Sequence, residues 1–267
     1  MIKSSMLLAV LLAQTALSAH ATTQDDVLAA ALLNGWRLDD GRHMAAVDLT
    51  LAPGWKTYWR SPGEAGIPPS FDWTGSENLQ SVRLHWPAPS VFQSNGLQTI
   101  GYHDRVVLPI EITPKDPSRP VRLVLQMDLG VCDDICLPAS VTLTSDLIGP
   151  GAPDADIRTS LDQRPVSGTE AGLRDIDCTI DPISDGLRLT ARLDLPDPGS
   201  AEVVAFETAD PSVWIAEATT QRAGSELVAI TELVPPEGAP FALERSGVTV
   251  TVLAAGGAVE VQGCPAP

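Results

Sequence analysis

Residues Val121-Arg122-Leu123-Val124-Leu125-Gln126-Met127-Asp128-Leu129 alternate apolar and polar side chains with a period near two. Only an extended strand with one face buried satisfies that pattern, because successive side chains of a strand point to opposite faces. Ala45–Leu51 and Val106–Ile112 also read as strands, and Val141-Thr142-Leu143 continues the series. Turn chemistry recurs between such runs at Asp40-Gly41, Pro53-Gly54, Asp185-Gly186, Pro198-Gly199 and Gly256-Gly257. No long segment carries a capped helical period. Many short strands at this spacing predict an all-β chain built as β-sandwiches.

The first residues read as an export signal. Lys3 supplies a positive start, Met6–Ala13 an apolar stretch, and Ala19-His20-Ala21 a small-residue cleavage site. The apolar run is too short to span a bilayer, and no later run approaches the roughly 18–20 residues that spanning requires. The expectation is a signal peptide over 1–21 and a mature chain outside the cytoplasm, in a periplasm, not spanning a membrane. The net charge of −17 opposes binding to nucleic acid or to anionic lipid surfaces, whose phosphates it would repel.

The Gly149-Pro150-Gly151-Ala152-Pro153-Asp154 stretch marks a boundary. It divides the chain into a unit at 22–150 and a second at 151–267, with a short polar helix or ordered linker expected near 154–164. Asp40-Gly41, Ala46, Pro53 and Gly54 are echoed at the same spacing by Asp185-Gly186, Ala191, Pro198 and Gly199, as two sandwiches of related build would be.

Four cysteines allow three pairings. Cys178 and Cys264 open and close the second unit, so a bridge between them is the natural structural staple there. Cys132 and Cys136 are left for each other, in a turn with only Asp133-Asp134-Ile135 between them. A ring that small removes little chain entropy and makes a weak staple. Three readings remain open: a redox couple, an inert bridge, or a Cu(I) clamp drawing a third ligand from His85, His103 or Met127.

Several ordered motifs bear on that choice. Pro53-Gly54-Trp55-Lys56-Thr57-Tyr58-Trp59-Arg60-Ser61-Pro62-Gly63, Trp86-Pro87-Ala88-Pro89, Gly101-Tyr102-His103-Asp104 with Val107-Leu108-Pro109, and Gly130-Val131-Cys132 with Cys136-Leu137-Pro138-Ala139 together resemble the N-terminal periplasmic domain of the DsbD/ScsB thiol:disulfide reductases. The resemblance covers about residues 30–147, and the second half is similar to the extra β domain of the ScsB-like branch. It implies an immunoglobulin-like sandwich, two β domains in tandem, and no cofactor. Cys136 would be the attacking thiol and Cys132 the resolving one. Electrons would pass from a membrane-embedded DsbD/CcdA-like donor to a periplasmic thioredoxin-fold or other oxidised protein. The family's membrane and thioredoxin-like domains have no counterpart here, so the donor is expected to be separately encoded.

The resemblance also implies a movable cap over the cysteines at Val91–Gly96, with Phe92 as lid and Gly96 as hinge. Tyr58 and Tyr102 would line the same pocket. Asp128, Asp133 and Asp134 would surround the pair with negative charge and raise the thiol pKa. Trp55, Trp59, Phe71, Trp73 and Trp86 are expected to be core or loop-anchoring aromatics. Two other readings stay beside the electron carrier: a copper-delivery module at Cys132 and Cys136, and a non-catalytic docking protein.

Overall fold

A computed structural model describes residues 22–94, 96–236 and 242–267. The expected signal at 1–21 lies outside the described residues. Strands dominate the described residues, with little helix, so the all-β expectation holds.

Among the described residues ten strands precede residue 150: β1 (Leu28–Arg37), β2 (His43–Leu51), β3 (Lys56–Tyr58), β4 (Ser70–Asp72), β5 (Leu79–Leu84), β6 (Ser90–Ser94), β7 (Leu97–His103), β8 (Arg105–Pro114), β9 (Val121–Cys132) and β10 (Cys136–Leu147). They form two antiparallel sheets, one ordered β1-β2-β8-β5 and the other β10-β9-β3-β7-β6, with β4 also pairing β9. The inward residues of the two sheets make one core. Val47, Leu49, Ile110 and Ile112 of the first sheet meet Leu123, Leu125, Met127 and Leu129 of the second. The period-two run of β9 thus reports its true faces: its odd-numbered residues from Leu123 to Val131 are buried. Trp59 is fully buried, while Phe71, Trp73 and Trp86 are partly buried, Phe71 stacking on Trp73 and meeting Trp86 edge-to-face.

Asp154 caps the helix Ala155–Asp162, its Oδ1 accepting from Asp156 N (2.8 Å) and Ile157 N (3.1 Å). Ile157 is fully buried against Met44, Ala46 and Val107, and Ser160 Oγ donates to the Val107 carbonyl. The helix therefore covers the outer face of the first sheet.

After residue 165 two further sheets pack face to face. One orders strands 166–167, 257–262, 249–254 and 203–207; the other holds 175–182, 187–194 and 226–234, with 214–215 and 219–223 pairing the last of these. Their core joins Leu189, Leu193 and Leu227 to Phe206, Val250 and Val252. Cys178 and Cys264 are bridged and fully buried. Cys178 belongs to one sheet and Cys264 follows the 257–262 strand of the other, so the bridge ties sheet to sheet rather than joining neighbouring strands. The echoed Asp-Gly pairs fall in corresponding places, each in the turn between the first two long strands of its half.

Arg60 links the halves. It hydrogen-bonds Glu207 through Nε (2.8 Å) and Nη2 (2.9 Å), and Nη2 also reaches Glu260 at 2.5 Å. Burial works against its charge, but the bonds and charges of Glu207 and Glu260 outweigh this and raise the guanidinium pKa.

Candidate redox site at the end of a hairpin

The β9–β10 hairpin pairs twelve residues of each strand in unbroken register, ending with Cys132 opposite Cys136. The two are bridged, with Cα atoms 4.1 Å apart, close to the separation of a non-hydrogen-bonded antiparallel pair. The ladder itself brings the sulfurs together. Within the three-residue turn Asp133 N donates to Ile135 O at 3.0 Å. Cys132 is 1% exposed, whereas Cys136 and the turn residues Asp133, Asp134 and Ile135 are exposed.

Register fixes what surrounds the bridge. β3 lies between β9 and β7, with Lys56 opposite both Cys132 and His103. Directly opposed residues share a face, so Cys136, Cys132, Lys56 and His103 form a row across four strands on the outer face of the sheet. Tyr58 lies two residues along β3 on that face. It is 3% exposed, and its Oη sits 3.7 Å from Cys136 Sγ. Burial raises its phenol pKa, which keeps it protonated and able to donate. Gly130 is what lets Tyr58 lie so low: a Cβ there would meet Ile67 Cβ at 2.8 Å and Tyr58 Cε2 at 3.2 Å.

The β6–β7 hairpin carries the proposed cap residues. Phe92 packs edge-on against His103 at 5.9 Å between centroids, and Lys56 Nζ lies 5.4 Å from the Phe92 centroid. Gly96, exposed at the hairpin tip with φ +81°, takes the left-handed conformation that glycine tolerates.

Two expectations need correction. Tyr102 does not join this group. It sits opposite Thr57, on the inner face, and its Oη donates to the Pro87 carbonyl at 2.8 Å. Burial pushes its pKa well above the usual value. Asp128 shares the face of Cys132 but lies four residues back, about 13 Å along the strand, where it accepts from Ser140 Oγ. Asp133 and Asp134 do flank the pair, with the Asp133 carboxylate beside Gly54.

Of the candidate copper ligands, Met127 is fully buried on the inner face and His85 lies against the other sheet. His85 Nδ1 pairs with Arg164 Nη1 at 3.2 Å, and its Nε2 is 3.4 Å from Glu111 Oε2 without hydrogen-bond geometry. Only His103 shares the cysteine face, and its Nδ1 is 2.5 Å from Asp104 Oδ2. Among the described residues no group of three or more His, Cys, Asp or Glu is arranged to hold a metal ion.

Sequence reasoning passed over Lys56, Ile67 and Ile135. Ile135 is 58% exposed at the tip of the turn and Ile67 is 43% exposed beside Gly130, so apolar surface flanks the sulfurs on two sides. The Ser61–Pro69 segment that carries Ile67 also walls a cleft of about 640 Å³ against Phe206 and Trp214 of the second half.

Residues 25–147 match the family described as thiol:disulfide interchange protein DsbD, N-terminal. The chain is similar to the crystal structure of the N-terminal periplasmic domain of ScsB from Proteus mirabilis, at 25% identity and a TM-score of 0.67. That similarity covers 92% of this chain and 96% of that one, so it extends over both halves. No curated protein matches the chain. Among the described residues no helix is long and apolar enough to cross a membrane.

Proposed function

Residues 25–147 belong to the DsbD N-terminal family, and from that premise we propose that this protein is a periplasmic electron carrier that reduces oxidised proteins through Cys132 and Cys136. A general role in thiol:disulfide interchange follows from the family itself. The direction of transfer and the partners are our reading. The observation that carries it is the asymmetry of the pair: Cys136 is exposed and Cys132 is buried behind it.

In the reduced protein the Cys136 thiolate attacks a partner disulfide. One partner sulfur joins Cys136 and the other departs as thiolate, taking a proton from solvent. Cys132 then attacks Cys136 Sγ, closing the bridge and releasing the second partner thiol. Two electrons reach the partner, and a membrane-embedded DsbD/CcdA-like reductase restores the dithiol. Exposed Ile135 and Ile67 give a thioredoxin-fold partner an apolar ledge on which to dock. The copper reading is not carried forward, since two of its three candidate ligands face elsewhere.

Thiol trapping tests the proposal. Cys132→Ser protein should accumulate a mixed disulfide through Cys136 with a thioredoxin-fold protein of a periplasmic extract, and Cys136→Ser should accumulate little. Equal trapping by both, or none by either, would remove the carrier role.

A further inference from the structure

A buried thiol beside two aspartates is poorly placed to ionise, because burial and negative charge both favour the neutral form. Cys132 is that thiol: 1% exposed and followed directly by Asp133 and Asp134. Yet it must act as thiolate to close the bridge on Cys136. The residue directly opposite it on β3 is Lys56, one of only three lysines in the chain, with Lys3 and Lys115. Directly opposed side chains start about 5 Å apart at Cβ, and the flexible four-carbon stem of lysine can carry its ammonium over the neighbouring sulfur.

The ammonium has little else to hold it. Lys56 takes part in none of the described ion pairs, and its observed partner is the Phe92 ring. No competing cation stands beside the pair on β9, β10 or β6. His103 and Asp104 stand at the end of β7, paired with each other. The Tyr58 phenol is held protonated by burial. Glu64 Oε1, on the Ser61–Pro69 segment, accepts from Glu217 N at 3.4 Å and so turns toward the second half.

We propose that Lys56 is the cation that lets Cys132 ionise, and that the Phe92 ring holds its ammonium aside while the bridge is closed. Displacement of Phe92 by a docking partner would then free the charge at the moment the resolving thiolate is needed. The inference rests on the interchange reading above, since a thiol that never resolves a mixed disulfide needs no such cation.

The test uses the Cys136→Ser protein, in which Cys132 is the only free thiol while Cys178 and Cys264 stay bridged. Its ionisation is followed by ultraviolet thiolate absorbance against pH. Lys56→Met should raise the midpoint by about two pH units, roughly a hundredfold in thiolate fraction at neutral pH, as expected for a unit charge about 6 Å away near a protein surface. Lys56→Arg should retain most of the effect. Phe92→Ala should lower the midpoint when Lys56 is present and leave it unmoved in the Lys56→Met protein. In the two-cysteine protein, Lys56→Met should lengthen the life of the mixed disulfide formed with glutathione disulfide by a similar factor. Coincident midpoints with and without the Lys56→Met substitution, with folding intact by circular dichroism, would overturn the inference. A shifted midpoint in a protein that exchanges with no thioredoxin-fold partner would leave the role of Lys56 standing and sink the carrier reading instead.

Discussion

Arg60 and Glu207 face each other across the junction of the two halves in a two-bond, fork-to-carboxylate pairing, at 2.8 and 2.9 Å. The side chains are only 25% and 22% exposed, so the pair is more shielded than an ordinary surface bridge. Removing the guanidinium leaves Glu207 and Glu260 close together without a counter-charge.

Arg60→Met should therefore destabilise the protein by roughly 1–3 kcal/mol, below the range for a fully buried pair because all three groups keep some solvent. The loss should shrink in acid, as the stranded carboxylates take up protons. Urea unfolding at neutral and acid pH measures both. An unchanged midpoint at neutral pH would show that the junction does not depend on this pair.

Two glycines of the cysteine-bearing sheet should respond differently to the same substitution. A Cβ at Gly101 would lie 2.0 Å from Thr57 O and 2.9 Å from Tyr58 Cα, both backbone. Gly101→Ala must push β3 from β7 and should cost about 2–4 kcal/mol. At Gly130 the closest contact is Ile67 Cβ at 2.8 Å, which moves only with its backbone, but that backbone belongs to the 61–69 loop rather than to a neighbouring strand. Gly130→Ala should cost about 1 kcal/mol but lift Tyr58 away from Cys136, changing the rate of bridge reduction. Thermal melts and reduction kinetics on both variants separate fold from site.

The two bridges should part company under reduction. Cys136 is exposed, whereas Cys178 and Cys264 are 0% and 1% exposed, so mild thiol buffers should open the 132–136 bridge and spare the other. Chain entropy ranks their structural value the same way. Their sequence separations of 4 and 86 correspond to about 2 and about 4–5 kcal/mol of unfolded-state restriction. Mass mapping after graded reduction checks the order, and unfolding of Cys178→Ala/Cys264→Ala protein checks the magnitude.

Two buried histidines give stability a pH dependence. Burial lowers the pKa of His43, with the Asn34 carbonyl partly opposing it. Burial, then the charge of Arg164, lowers that of His85. In the unfolded chain both return to an ordinary value near about 6.5, so the unfolded state binds the extra protons. Their contribution is fully present above that value and is lost as pH falls from there toward the lowered native pKa values. Melting temperature should be level above about pH 7 and decline below about 6.5. His85→Gln should flatten the slope; an identical slope would exclude His85 as a source.

What the sequence disclosed was local. β9 showed itself by alternation, because over most of its length it presents one face to the core, whereas β2 and β8 read as apolar strand runs, since the helix at 155–162 also buries part of their outer face. The pairing of Cys132 with Cys136 came from elimination among four cysteines, and its redox reading, with Tyr58, from motif order. What it hid was register. Tyr102 stands in one motif with Gly101 and His103, and motif order does not say which face it takes. Pairing with Thr57 decides that, and it turns the Tyr102 hydroxyl inward to the Pro87 carbonyl. Lys56 was invisible as a neighbour of Cys132 because 76 residues separate them and only the β3–β9 pairing joins them. The polar stretch at 154–164 was compatible with a short helix or an ordered linker, and the docking that makes it a helix on Met44 and Val107 depends on the outer face of a distant sheet.

The twelve-pair ladder that ends at the cysteines has a consequence for recognition. Because Cys132 and Cys136 stand opposite each other by strand pairing, opening or closing the sulfur–sulfur bond asks for no change of backbone path. On the interchange reading, the reduced protein is then expected to keep the silhouette of the bridged one. A partner must tell the two states apart by touch, from the sulfurs themselves and the few side chains that shift with them, rather than by the contour of the domain.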